Sequence, residues 1–259
     1  MKGIFTGTGA LLLRLIAVLR VLRRGRCDGQ ECLRLIDVAL RDAAPTAAAG
    51  ALVIGGIVGL QGLGYLTRYN ATEVFGWAAA LSAFRDVGPL LLAFALAARV
   101  GTKNSAQVAT LAVRERLDAL CALGLDPHAA VTAPRVVAVV VTALLLYPLA
   151  AVTILGVAFA CARVLGNQSL AISLWSMLSY THASVVVEGL LRLTLFGLVI
   201  GLCTTHAGLS LWQPALTSTD PPQRGSANAV GDAVYRGSVL SLVGVVTLNL
   251  VLSLVGGTG

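Results

Sequence analysis

The sequence predicts an all-α membrane protein, with an interfacial N-terminal helix, about five transmembrane helices and a cytoplasmic helix between the second and third. Three observations carry this. Of the 259 residues, 57% are hydrophobic and only 12% are charged, too little polar surface to cover a soluble domain of this size. Several apolar stretches reach the roughly 20 residues that a helix needs to cross hydrocarbon. The basic residues gather at the ends of those stretches, without the interleaved aromatics of a nucleic-acid surface. The net charge of +7 therefore orients a membrane protein rather than recruiting nucleic acid.

The elements follow in order. Met1 to Arg26 has an apolar run from Ala10 to Leu22 interrupted by Arg14 and Arg20, and Arg23, Arg24 and Arg26 stand where a signal peptide would have a small-residue cleavage site. A retained amphipathic helix in the cytoplasmic interface is the better reading, its arginines snorkelling to headgroups. Gln30 to Asp42 carries Leu33, Ile36 and Leu40 at i, i+3, i+7, a short amphipathic elbow. Asp42 and Pro45 then predict a helix start. The first span runs from about Ala44 to Leu66, its glycines Gly50, Gly55, Gly56, Gly59, Gly62 and Gly64 allowing close helix approach in lipid.

The second span runs from about Gly76 to Val100, followed by a polar segment, Gly101 to Thr132. Within it, Asn104–Leu123 is too polar to span and predicts a helix ended by Gly124 and Pro127. The third span covers about Pro134 to Val164, with Pro148 inside. An uncharged loop, Leu165 to His182, precedes the fourth, about Ala183 to Thr205. A Pro-rich loop, Gly208 to Gly225, leads through Ser226–Tyr235 to the fifth, about Gly237 to Val255.

With the N-terminus in the cytoplasm, fifteen lysines and arginines fall on the cytoplasmic side and only Arg68 and Arg163 on the other. That asymmetry predicts a cytoplasmic N-terminus and, after five spans, an external C-terminus. Lysine occurs only at Lys2 and Lys103, which points to a GC-rich bacterial source. Cys27, Cys32, Cys121, Cys161 and Cys203 are scattered, as are His128, His182 and His206, so neither a disulfide framework nor a metal site is signalled. Neither lysine completes a Walker A pattern; any ATP hydrolysis must come from another chain.

Four charges fall inside spans. Arg85 and Asp86 would each cost roughly 2.5–3.5 kcal/mol at mid-bilayer, so they should face protein or a water-filled cavity. Helical neighbours point about 100° apart, so they do not pair only with each other. Two readings stay open: a polar wall of a substrate cavity, or an interhelical tether. Glu188 and Arg192, at i, i+4, favour a same-helix ion pair. Outside the spans, Arg114, Glu115, Arg116 and Asp118 share a helix with Leu111, Leu117, Leu120 and Leu123. Charged and apolar together, it suits docking to a soluble partner better than a purely solvated loop helix.

The run from Val58 to Thr102 resembles the MlaE/YrbE permeases. That family has an LQG motif ending the first span, an Arg-acid-x-GP motif in the second and a GRxG-like end. Here these read Leu60-Gln61-Gly62, Arg85-Asp86-Val87-Gly88-Pro89 and Ala98-Arg99-Val100-Gly101. A segment similar to the family's coupling helix follows, Glu115-Arg116-Leu117-Asp118-Ala119-Leu120, then Gly124-Leu125-Asp126-Pro127 and Pro134-Arg135. Arg192 stands where the family usually has lysine, before Phe196-Gly197, and Ala229-Val230-Gly231-Asp232-Ala233 resembles its G-V-G-x-A. The ordered set covers roughly residues 30 to 255.

The resemblance implies one ABC permease domain over 1–259. Interfacial and elbow helices would occupy 1–43 and a five-span core 44–257, with the coupling helix at 104–124. It implies a multi-pass protein of the bacterial inner membrane that moves lipid (phospholipid, fatty acid or sterol) between that membrane and the outer envelope. The implied partners are an ABC ATPase, which binds the ATP and Mg, a periplasmic MCE-domain protein and a second permease copy or paralogue; no cofactor is expected in this chain. Leu60, Gln61, Arg85 and Asp86 would line the lipid cavity. Gln107, Arg114, Glu115, Arg116, Asp118 and Asp126 would face the ATPase. Gln107 replaces the glutamate of the family's A-E-L-G, Asn249 replaces an acid of the last span, and the loop Leu211–Gly225 is longer than usual. These departures suit one half of a heterodimeric permease or a divergent branch. The rival is an ATP-independent secondary transporter or channel subunit, which would call for inverted repeats or a string of intramembrane carboxylates. An intramembrane enzyme lacks a nucleophile–base pair in the sequence.

Overall fold

In a computed structural model, residues 29–114, 116–124, 128–212 and 227–256 are described. The interfacial helix expected over Met1–Arg26 lies outside them, as do Glu115, Asp126 and most of the Pro-rich loop. Nearly all of the described residues are helical, and none of them is in a strand. They form α1 (Gly29–Ile57), α2 (Leu63–Arg68), α3 (Phe75–Leu81), α4 (Val87–Leu96) and α5 (Thr102–Val113). These are followed by α6 (Arg116–Ala122), α7 (Ala133–Gly166), α8 (Leu170–Tyr180), α9 (Ala183–Leu209) and α10 (Ala227–Gly256). Helices continue through π turns at Val58–Gly62, Ser82–Asp86, Ala97–Gly101 and His128–Thr132. Five rods are long and apolar enough to cross a membrane: Gly29–Arg68, Thr72–Val113, Ala130–Gly166, Ala183–Leu209 and Asn228–Leu254.

Three expectations change. No helix starts at Asp42–Pro45: α1 runs through, with Pro45 inside it. Proline removes one ladder bond, but Ala39, Ala43, Ala47 and Ala51, at i, i+4 spacing, form one buried stripe through it, and burial outweighs the lost bond. The elbow's Leu33 is exposed, so the buried face is this alanine row. The single helix expected over 104–124 is two: α5 prolongs the second rod, and Arg114 leaves helical geometry (φ −84°, ψ 11°) before α6 begins. Gly124 closes α6 at φ +72°, a left-handed conformation that glycine adopts without steric cost. Finally, the connection Leu165–His182 contains α8.

The chain divides into two compact units. One is assembled from Arg41–Ala95 and Ala143–Leu195, the other from the described parts of Met1–Leu40, Leu96–Thr142 and Phe196–Gly259. In the first, only some of the predicted close-packing glycines serve that end. A Cβ on Gly55 would lie 2.7 Å from the Ile154 carbonyl oxygen and one on Gly59 2.7 Å from Cys161 Cβ, whereas Gly56 and Gly64 have open space. Phe75 packs on Phe159, ring centroids 6.4 Å apart, and Gln168 Nε2 donates to the Thr72 carbonyl at 2.9 Å. In the second, Val108, Ala112, Leu117, Val131 and Leu209 form a core flanked by Leu111, Leu120, Leu211 and Trp212. Ser105 Oγ donates to the Thr204 carbonyl at 3.1 Å, joining α5 to α9.

Candidate functional site

The π turn Ser82–Asp86 sets the geometry of the intramembrane charges. Its register is fixed by the Val87 N–H, which donates to the Ser82 carbonyl five residues back. The Phe84 carbonyl oxygen accepts a hydrogen bond from the Tyr147 hydroxyl of α7 at 2.8 Å. A hydrogen bond between helices in lipid is worth about 0.6 kcal/mol on average, so this contact ties α7 to the second rod modestly. Gly189 of α9 comes against the same node: a Cβ there would collide with the Phe84 carbonyl oxygen and the Tyr147 hydroxyl.

Beside that node, four charges alternate in a chain. Arg85 Nε lies 3.2 Å from Glu188 Oε2, Glu188 Oε1 accepts from Arg192 Nη2 at 2.9 Å, and Arg192 Nη1 donates to Asp86 Oδ1 at 3.1 Å. Arg85 and Asp86 thus reach different partners on α9, as their 100° separation requires. The side chain of Arg192 is 4% exposed, while that of Asp86 is 55% exposed. The arginine is the buried centre of a neutral cluster that opens at the aspartate. Two cations stand against two carboxylates, and the arrangement can tether α9 to the second rod or separate from it as a unit.

Leu60 and Gln61 belong to the π turn Val58–Gly62 and are exposed. Gln61 lines a cavity of about 300 Å³ with Gly64, Tyr65 and Arg68. Arg85 and Asp86 are not among the described residues of that lining.

In the other unit, Arg116 and Asp118 are exposed on α6, Arg114 is exposed at its start, and Gln107 is half-buried on α5. The leucines of this segment are largely engaged: Leu117 is fully buried, and only Leu123, 75% exposed, is free of the core. Asp118 Oδ1 accepts a hydrogen bond from Trp212 Nε1 at 2.8 Å, so part of its acidity is already directed at the end of α9. Sequence reasoning missed Tyr147, Gly189 and Trp212. Nothing local marks any of the three, because their roles depend on a distant partner.

The model of the family described as "Permease MlaE" matches residues 32–255. A "Probable ABC transporter permease protein" of Rickettsia typhi is 29% identical over 200 residues, 77% of this chain and 74% of its own. A protein of the same description from Synechocystis sp. is 29% identical over 238 residues, 89% of this chain and 83% of its own. The "Intermembrane phospholipid transport system permease protein MlaE" of Haemophilus influenzae is 36% identical over 84 residues, 32% of each chain.

Proposed function

The chain belongs to the MlaE permease family, and from that premise we propose that it is the membrane subunit of an ATP-driven system that carries lipid between the inner membrane and the outer envelope. That it is a multi-pass lipid-transport permease follows from the family and the five rods. The rest is our reading. The ATPase, a periplasmic MCE-domain protein and a second permease copy or paralogue are the partners proposed, with the N-terminus cytoplasmic and the C-terminus periplasmic.

The observation that carries the ATP-driven reading is α6. It is a short non-spanning helix whose Arg116 and Asp118 are exposed while Leu117 anchors it in a core with Leu209 of α9. An ATPase that closes on nucleotide would push α6, and the core would pass the displacement to the end of α9. Glu188 and Arg192 lie on that same continuous helix, so its movement would load the ion-pair chain to Arg85 and Asp86. Those charges, with the cavity at Gln61, are where lipid handling is proposed.

The test is a Glu115→Lys plus Asp118→Lys variant. Charge reversal at a desolvated contact costs several kcal/mol, and each 1.4 kcal/mol is about tenfold in affinity. The variant should insert, keep its permease partner and lose the ATPase on co-purification. Retention of a fully active ATPase would end the coupling role.

A further inference from the structure

The connection between the third and fourth rods carries a helix that is polar where it meets protein and apolar where it meets none. In α8, Ser173 and Ser176 are buried while Leu170, Ile172, Leu174, Trp175, Leu178 and Tyr180 are between 45% and 74% exposed. The serine face packs on the start of the second rod. Gly76 has no side chain where the Ser173 carbonyl sits, and the Trp77 N–H donates to Ser176 Oγ at 3.4 Å. A water-facing helix shows the opposite arrangement. No charged residue occurs from Val164 to Val187.

At eleven residues α8 is about 16 Å long, too short to span. It is also closely tethered: residues 167–169 join it to α7 and residues 181–182 join it to α9. Chain of that length reaches at most about 10 Å, so α8 cannot leave the level at which those two rods end. Trp175 and Tyr180 meet edge to face at 6.2 Å on the outward side, aromatic types that settle at headgroup depth. A cavity of about 500 Å³, lined by Glu73, Ala171, Ile172 and Trp175, opens between α8 and the beginning of the second rod.

We propose that α8 is a membrane-interface helix whose occupant is the lipid leaflet itself, with Leu170, Ile172, Leu174, Trp175 and Leu178 among the upper acyl chains and Ser173 and Ser176 turned to protein. The proposal rests on α7 and α9 being membrane spans, and its test separates the two claims. The full chain with Trp77→Phe and Trp212→Phe keeps Trp175 as its sole tryptophan. It is reconstituted into phosphatidylcholine vesicles brominated either near the headgroup end of the acyl chain or near its methyl end. Trp175 emission should be lost mainly to the shallow bromines and resist aqueous acrylamide. Quenching by acrylamide alone would place α8 in water, and quenching by neither would place it against protein; both outcomes overturn the proposal.

The control is Val152→Trp with all three native tryptophans replaced by phenylalanine. Val152 is 70% exposed on α7 and should respond to the deep bromines. If it does not, the spanning reading fails; if it does while Trp175 is silent to lipid, only the α8 proposal fails. Should the phenylalanine variants not fold, a spin label on Leu178→Cys, with the native cysteines changed to serine and every tryptophan kept, reads the same depth. There, relaxation by oxygen exceeding that by an aqueous nickel complex is expected, and the reverse overturns the proposal.

Discussion

The charges at Arg85, Asp86, Glu188 and Arg192 and those on α6 differ in how their partners are supplied. In the first group every charge finds its counterpart within the chain, across two helices held by Tyr147 and Gly189. On α6, Arg116 and Asp118 face outward, and the one side-chain hydrogen bond described for Asp118 comes from the indole of Trp212. Charges in hydrocarbon must be satisfied before a helix can stay there, whereas charges in water lose little by waiting for a partner. The first region therefore resists substitution by losing stability, and the second by losing association.

Removing the buried centre of the first region should do most damage. Arg192→Ala leaves Asp86 and Glu188 without their shared cation, and breaking a buried pair costs about 3–5 kcal/mol. The exposure of Asp86 places the loss toward the lower end. Accumulation in the membrane and thermal unfolding in detergent should both fall. Asp86→Ala should be far milder, since Arg192 keeps Glu188; that variant should assemble, and a lipid-transfer assay should show the impairment if the aspartate serves transport. Failure of Asp86→Ala to accumulate would instead make the whole cluster a tether.

Gly189→Ala comes next. Its methyl group would meet the Phe84 carbonyl and the Tyr147 hydroxyl, and overpacking of this kind costs roughly 1–3 kcal/mol. A midpoint unchanged from wild type in a detergent melt would mean that α9 does not approach the π turn so closely. Tyr147→Phe removes only the donor to Phe84, a loss of about 0.6 kcal/mol by the average of hydrogen bonds between helices in lipid. The smallest effect is expected on the other side of the comparison. Trp212→Phe frees an exposed Asp118 and should cost no more than about 0.5 kcal/mol of stability, leaving the melt almost unmoved. A large destabilisation there would erase the contrast between the regions.

The five rods were legible because hydrocarbon thickness imposes a length and a composition that a single sequence displays. The i, i+4 spacing of Glu188 and Arg192 was legible for a similar reason, since it needs only the helical period. What lay hidden depends on distant residues. Pro45 reads locally as a helix start, and only the alanine row packed along α1 keeps the helix intact through it. The cross-helix partners of Arg85 and Asp86 follow from a π register that no periodicity announces. α8 passed for a loop because eleven uncharged residues satisfy neither a span nor a water-facing amphipathic pattern.

The π turn at Ser82–Asp86 also changes how the second rod must be counted. Along it the buried positions Gly76, Ala79, Ala80 and Ala83 give way to Gly88, Pro89, Leu92, Ala93, Leu96, Ala97, Val100 and Gly101. Within them Ala79, Ala83, Gly88, Leu92, Leu96 and Val100 step by four residues except for the jump of five from Ala83 to Gly88. A wheel drawn at 100° per residue through the whole rod therefore slips by one position at that jump and assigns the wrong side chains to the protein-facing row beyond it. Deleting one residue between Ala83 and Gly88 would bring the two halves back into a common phase. A regular α-helix would then carry the row across without the π turn, so an alignment gap of a single residue here marks the loss of the bulge while the packing row is kept.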